Sequence, residues 1–231
     1  MKLYPSLFLL AAVLFPLATP TETQAAIVVG ELDNFNVDLE GWAQGLPPSG
    51  SFGVTRPTTG GPAGTDDAFM RIQSDGFSSH GKLVAFNQSS AWNGSYSAAG
   101  VTTIAMAANN LGATNLQLRV AIGTGLNANS GTWYASTTAV ALPAGSGWTL
   151  VEFPLAESGM TLVIGSAAYS TVLGGVVTIR LLHNHIQPDN NGWPIAATLG
   201  VDNITAIVPE PASWLLLTSG ALASLLRRRR K

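Results

Sequence analysis

Cysteine is absent from the 231-residue sequence. That excludes a disulfide scaffold, a thiolate zinc site, an iron–sulfur cluster and a cysteine nucleophile. Charge is scarce as well. The 11 basic and 13 acidic residues make up 10% of the chain, less than half of the roughly 25% usual in soluble domains. No apolar run reaches the roughly 20 residues that span a bilayer. A Gly-x-Ser-x-Gly elbow is missing, and no glycine run is followed by the lysine and helix of a phosphate-binding loop, so nothing singles out nucleophilic catalysis or nucleotide binding. What the chain does have is 46% hydrophobic residues and 25 glycines, which opposes a disordered chain.

The two ends read as targeting segments. Lys2 followed by the apolar stretch Leu7 to Leu17 and the small-residue exit Thr23-Gln24-Ala25-Ala26 predicts a cleaved signal peptide over residues 1–25. At the other end Val208-Pro209-Glu210-Pro211-Ala212-Ser213 precedes a hydrophobic segment, Trp214 to Leu226, and then Arg227, Arg228, Arg229, Arg230 and Lys231. The prolines stop a preceding strand and hold the chain extended. Five cations suit a cytoplasmic face. As a helix this 13-residue segment reaches about 20 Å, short of the roughly 30 Å of hydrocarbon. Arginine snorkelling and local thinning can meet the difference, which suits a transient anchor.

The order Pro-Glu-Pro, short hydrophobic helix, arginine cluster also resembles the PEP-CTERM sorting signal of Gram-negative bacteria, over Val208 to Lys231. The resemblance implies that Pro209, Glu210 and Pro211 are recognised by a membrane protease, an exosortase. The helix and Arg227 to Arg230 would hold the substrate in the inner membrane after the secretion machinery has inserted it. The freed protein would reach the cell surface or matrix.

Between the signals lies one domain, residues 26–208, with five basic and eleven acidic residues and a net charge of −6. A mildly acidic domain without a basic stripe is not a nucleic-acid binder. Its pattern is β throughout. Strands are expected at Ala68–Ser74, Lys82–Asn87, Val101–Ala107, Leu116–Ile122, Tyr134–Leu142, Thr149–Pro154, Val176–His183 and Leu199–Ile207, with weaker ones at Ile27–Leu32 and Phe52–Arg56. Leu116, Leu118, Val120 and Ile122 alternate with Gln117 and Arg119, as on a strand with one buried face. About ten short strands with glycine-rich turns predict an all-β fold, a β-sandwich of jelly-roll type. No period of 20–50 residues marks a solenoid or propeller.

Glu31-Leu32-Asp33-Asn34-Phe35 with Gly41-Trp42 at the start, and Val201-Asp202-Asn203-Ile204 at the end, resemble the opening and closing strands of carbohydrate-binding-module-like jelly rolls. The resemblance implies that first and last strands lie together and that Glu31, Asp33 and Asp202 hold a structural calcium. Solvated strand-end carboxylates are the alternative.

Sugar recognition uses aromatic faces with amides and carboxylates around them. Trp92, Trp133, Tyr134 and Trp193 stand in or beside Asn-, Ser- and Gly-rich turns and are the candidate platform, while Trp42 and Trp148 adjoin apolar strands and belong to the core. His183 and His185 share a strand face, a weak metal pair. Eleven acids scattered along the domain do not single out a glycosidase pair. The sequence thus describes an exported, non-enzymatic β-sandwich, sorted at its C-terminus and binding exopolysaccharide. A secreted polysaccharide-active enzyme on the same fold and a purely structural biofilm component remain the alternatives.

Overall fold

The computed structural model describes residues 27, 30–45 and 49–208. The signal segment 1–25 and the sorting segment 209–231, with its Pro-Glu-Pro, hydrophobic helix and arginines, lie outside the described residues. Among the described residues no helix is long and apolar enough to cross a membrane.

The described chain is an all-β sandwich of two antiparallel sheets built from 13 strands. In chain order they are β1 (Leu32–Asp33), β2 (Trp42–Ala43), β3 (Gly53–Thr55), β4 (Met70–Asp75), β5 (Val84–Asn87), β6 (Thr103–Asn110), β7 (Leu116–Gly123), β8 (Trp133–Ser136), β9 (Val140–Leu142), β10 (Thr149–Pro154), β11 (Met160–Ile164), β12 (Thr178–His183) and β13 (Ala196–Ile207). One six-stranded sheet runs β10-β6-β13-β4-β3, with β1 also on β13. The seven-stranded sheet runs β11-β8-β7-β12-β5-β2, with β9 also on β7. Two short helices, α1 (Tyr96–Ala99) and α2 (Tyr169–Leu173), sit in connections.

The alternating strands dictate this layering. Leu116, Leu118, Val120 and Ile122 are all fully buried in the core between the sheets, where Ile179 and Leu181 of β12, Ala85 of β5 and Met70 and Ile72 of β4 join them. First and last strands do lie together: Leu32 pairs Thr205 and Asp33 pairs Ile204. The stretch expected as a single strand at Tyr134–Leu142 is two, β8 and β9, both laid along β7 and separated by exposed Thr137 and Thr138. Two strands have no counterpart in the expected set, the two-residue β2 and β11.

The seven-stranded sheet carries a second, smaller apolar layer on its outer face. Ala121, Trp133, Ala135 and Leu182 form it, with Val84 and Val163 against them. Gly123 makes room for it, since a Cβ there would fall 2.3 Å from the Trp133 ring. Arg119 and Arg180 are buried on this same face, which a sheet with one solvated side would leave exposed.

Candidate functional site

Of the four aromatic rings expected on an exposed platform, one is available. Trp92 is fully buried and its indole N–H donates to Asp33 Oδ2 at 2.7 Å. Trp133 is fully buried as well, donating to the Ser130 carbonyl at 2.8 Å. Both are corrections to the sequence expectation, and the cause is shared. An indole brings a large apolar area that gains from burial, and a single N–H that finds a partner inside. Tyr134 is half-buried, its ring edge-on to Tyr169 at 5.0 Å and its hydroxyl donating to Ala167. Trp193 alone is open, 42% exposed, with His185 edge-on at 5.9 Å.

The acidic trio is differently employed. Asp33 is 1% exposed, and its Oδ2 accepts the indole N–H of Trp42 at 2.5 Å and of Trp92 at 2.7 Å. Burial pushes its carboxyl up to about 7, the two indoles oppose this, and Glu40 and Glu31 reinforce it. Asp202 is also pushed to about 7, mainly by burial, with Asp67 and Glu40 adding to the rise and the Asn203 backbone opposing it. Glu31 is half-buried. Among the described residues no group of three or more His, Cys, Asp or Glu is arranged to hold a metal ion. Glu31, Asp33 and Asp202 are not drawn together as a cage, and Asp33 instead anchors two tryptophans that meet edge-on at 6.1 Å.

His183 and His185 do share a face, with their rings stacked at 5.6 Å. His183 is buried and its Nδ1 accepts the Gln117 backbone N–H at 2.9 Å. The ring is thereby held neutral with its proton on Nε2. Burial, helped by the charges of His185 and Arg119, pushes its imidazole down to about 4.

The site that sequence reasoning missed lies on the outer face of the seven-stranded sheet. Strand alternation sends Ala85, Ile179 and Leu181 inward and leaves Val84, Phe86 and Arg180 on the opposite side. Arg180 pairs Phe86 across the β5–β12 ladder. Around them is a groove of about 440 Å³ lined by Gln44, Ser78, Ser79, Lys82, Asn127 and Asn129, and by neighbouring backbone. That volume is in the range of small-ligand sites, about 300–1,000 Å³.

Hydrogen bonds fasten the walls. Arg180 Nη1 donates to the Asn190 carbonyl at 2.9 Å, and Asn190 Nδ2 donates to the Ala128 carbonyl at 2.8 Å. The β12–β13 loop is therefore tied to both the sheet and the β7–β8 loop. Gln88 Nε2 donates to the Leu126 carbonyl at 2.6 Å and to Thr178 Oγ1 at 2.9 Å.

Two buried polar atoms of the lining have no partner. Gln44 Nε2 donates to the Lys82 carbonyl at 2.9 Å, which leaves Oε1 an unsatisfied acceptor, and Arg180 Nε is an unsatisfied donor. A buried donor or acceptor without a partner costs about 1–3 kcal/mol. A ligand offering hydroxyl groups would recover that cost. Both atoms are buried beneath the groove surface. The groove thus combines a half-buried aromatic, Phe86, with amides, hydroxyls and two cations. Among the described residues no aspartate or glutamate lines it.

Comparison with known proteins adds the following. Residues 208–231 match the PEP-CTERM protein-sorting motif. That motif implies export with transient membrane anchoring and processing by an exosortase. No curated protein matches the chain. Among solved structures, the sandwich is similar to a family 11 carbohydrate-binding module from Clostridium thermocellum in complex with a β-1,3-1,4-mixed-linked tetrasaccharide. That similarity has 15% identity, covers 79% of this chain and 99% of that one, and has a TM-score of 0.47. A family 30 carbohydrate-binding module is similar at 13% identity over 83% of this chain and 91% of that one, TM-score 0.45. A protein of Bacteroides thetaiotaomicron described as a putative glycoside hydrolase shares 12% identity over 78% of this chain and 71% of that one, TM-score 0.43.

Proposed function

We propose that the protein is an exported surface protein whose sandwich binds polysaccharide in the groove over β5 and β12, without hydrolysing it. The observation that carries this is the pair of unsatisfied polar atoms, Gln44 Oε1 and Arg180 Nε, in a groove walled by asparagines and serines beside Phe86. Sugar hydroxyls both donate and accept, so one hexose can satisfy an orphan acceptor and an orphan donor together. Most glycosidases cleave with two carboxylates flanking the bond. The groove lining supplies none, which favours binding over catalysis.

Delivery would follow from the sorting motif. The chain is held in the inner membrane by its last residues, cut near Pro209-Glu210-Pro211, and released to the surface or matrix. The test is affinity electrophoresis of the full chain in gels containing the host's own exopolysaccharide. Retardation that Phe86→Ala abolishes supports the groove. Unretarded migration, or retardation that Phe86→Ala and Gln44→Ala leave intact, contradicts it.

A further inference from the structure

The distribution of charge within the groove goes further than the proposal just made, on which it rests. The sandwich carries five basic and eleven acidic residues. Two of the five cations, Lys82 and Arg180, line this one groove, and none of the eleven acids does. In a domain of net −6, a pocket with two positive charges and no negative one is a local reversal of sign.

The neighbouring carboxylates make their hydrogen bonds elsewhere, although the charge of Asp189 still favours the Arg180 guanidinium through space. Asp75 Oδ1 accepts the backbone N–H groups of Phe77 at 3.0 Å and Ser78 at 2.9 Å. Asp189 Oδ1 accepts those of Asn190 at 2.8 Å and Asn191 at 3.2 Å, and its Oδ2 accepts Asn184 Nδ2 at 3.1 Å. Among the described residues neither Lys82 nor Arg180 makes an ion pair. Arg180 is instead held between rings, 4.7 Å from the Trp133 centroid and 5.5 Å from that of Phe86, with one nitrogen on the Asn190 carbonyl and Nε free. The guanidinium is positioned and 6% exposed, and its nearest counter-charge, Asp189, acts on it only through space and offsets the burial in part, so a directly bonded anion would complete what burying it calls for.

We infer that the groove takes an acidic polysaccharide, seating the anionic group of a sugar residue between Lys82 and Arg180. The anionic group is an oxyanion, a uronate carboxylate or a sulfate ester. The guanidinium fork suits either, and the lysine adds a point charge. The remaining acids of the domain repel a polyanion at long range. At physiological ionic strength the screening length is about 8 Å, so contacts inside the groove outlast that repulsion.

The experiment is affinity electrophoresis of the full chain, kept in nonionic detergent at about 0.15 M salt. Gels contain polygalacturonate, its fully methyl-esterified form, dextran sulfate or dextran. Retardation by polygalacturonate but not by its ester, or by dextran sulfate but not by dextran, is the expected result, and which of the two appears identifies the anionic group. Lys82→Gln, a half-buried position that should fold normally, is expected to weaken that binding about threefold. Arg180→Met, which keeps apolar contact with the rings, should weaken it about tenfold or more. Equal retardation by charged and uncharged partners, abolished by Phe86→Ala, would overturn the acidic assignment and leave the polysaccharide proposal standing. Retardation unaffected by both cation variants would place the binding elsewhere and overturn the inference. Free migration in all four gels, and in the host exopolysaccharide, would overturn both.

Discussion

The Arg180 guanidinium lies 4.7 Å from the centre of the Trp133 ring. Trp133 is fully buried among Ala121, Ala135 and Leu182 with the cation against its ring, and Arg180 is held on the sheet by the rings, by the Asn190 carbonyl and by the charge of Asp189 in the loop above. Arg180→Ala should therefore cost stability, about 1–3 kcal/mol, through lost ring contact and a loosened β12–β13 loop. Denaturant melts of the two proteins measure it. Hydrogen exchange around Asn190 should rise in the variant more than in the core strands.

Asp33 is a structural acid in this account. Replacing it by alanine strands two buried indole N–H groups, an expected loss of about 2–4 kcal/mol. Asp33→Asn keeps an acceptor of the same shape and removes a carboxyl whose burial is unfavourable when ionised, so at pH 8 it should be close to neutral or stabilising. Thermal melts of both variants at that pH check the contrast.

Stability should depend on pH with a sign that the buried groups set. Asp33 and Asp202 are both raised to about 7 from 3.8. Folding therefore retains protons that the unfolded chain has released, and their contribution is full below pH 4 and lost as pH rises through 7. His183 runs the other way, lowered from 6.5 to about 4. Its contribution is full above 6.5 and lost as pH falls through 4. Between those limits two groups oppose one, so Tm should fall as pH is raised from 5 to 8. Asp202→Asn should flatten that slope, and His183→Gln should steepen it below pH 6.

Trp92 and Phe86 should separate fold from binding. Trp92→Phe loses the hydrogen bond to Asp33 in the core, with an expected cost of about 1–2 kcal/mol and unchanged retention by polysaccharide. Phe86→Ala, on the outer face, should lose retention with a smaller change in Tm. Paired melts and affinity gels distinguish the two.

With cleavage near Pro209-Glu210-Pro211, as proposed above, the exported protein should end before Trp214. Mass spectrometry of the secreted form reads its C-terminal peptide, and intact Lys231 on it would contradict the sorting account.

Much of the sandwich was legible in the sequence, because a strand with one buried face writes its period directly. Leu116, Leu118, Val120 and Ile122 are the clearest case, and the pairing of β1 with β13 matches what the terminal motifs implied. The two-residue β2 escaped because pairing with β5, not its own pattern, makes it a strand. The groove escaped for a related reason. Gln44, Ser78 with Lys82, Asn127 and Arg180 come from four separate parts of the chain, and only the β5–β12 register brings Phe86 beside Arg180. One signal was present: an arginine between Ile179 and Leu181 in β12. The tryptophans misled because residue type and turn context do not reveal which face of a loop folds inward. Trp92 went to Asp33 across 59 positions.

The most direct measurement is hydrogen–deuterium exchange of the full chain with and without saturating soluble exopolysaccharide from its host. The expected result is protection confined to residues 44–45, 77–86, 125–130, 180 and 189–192, where the groove walls lie. Protection centred on Trp193 and His185 with the groove unchanged, or no protection anywhere, would contradict it.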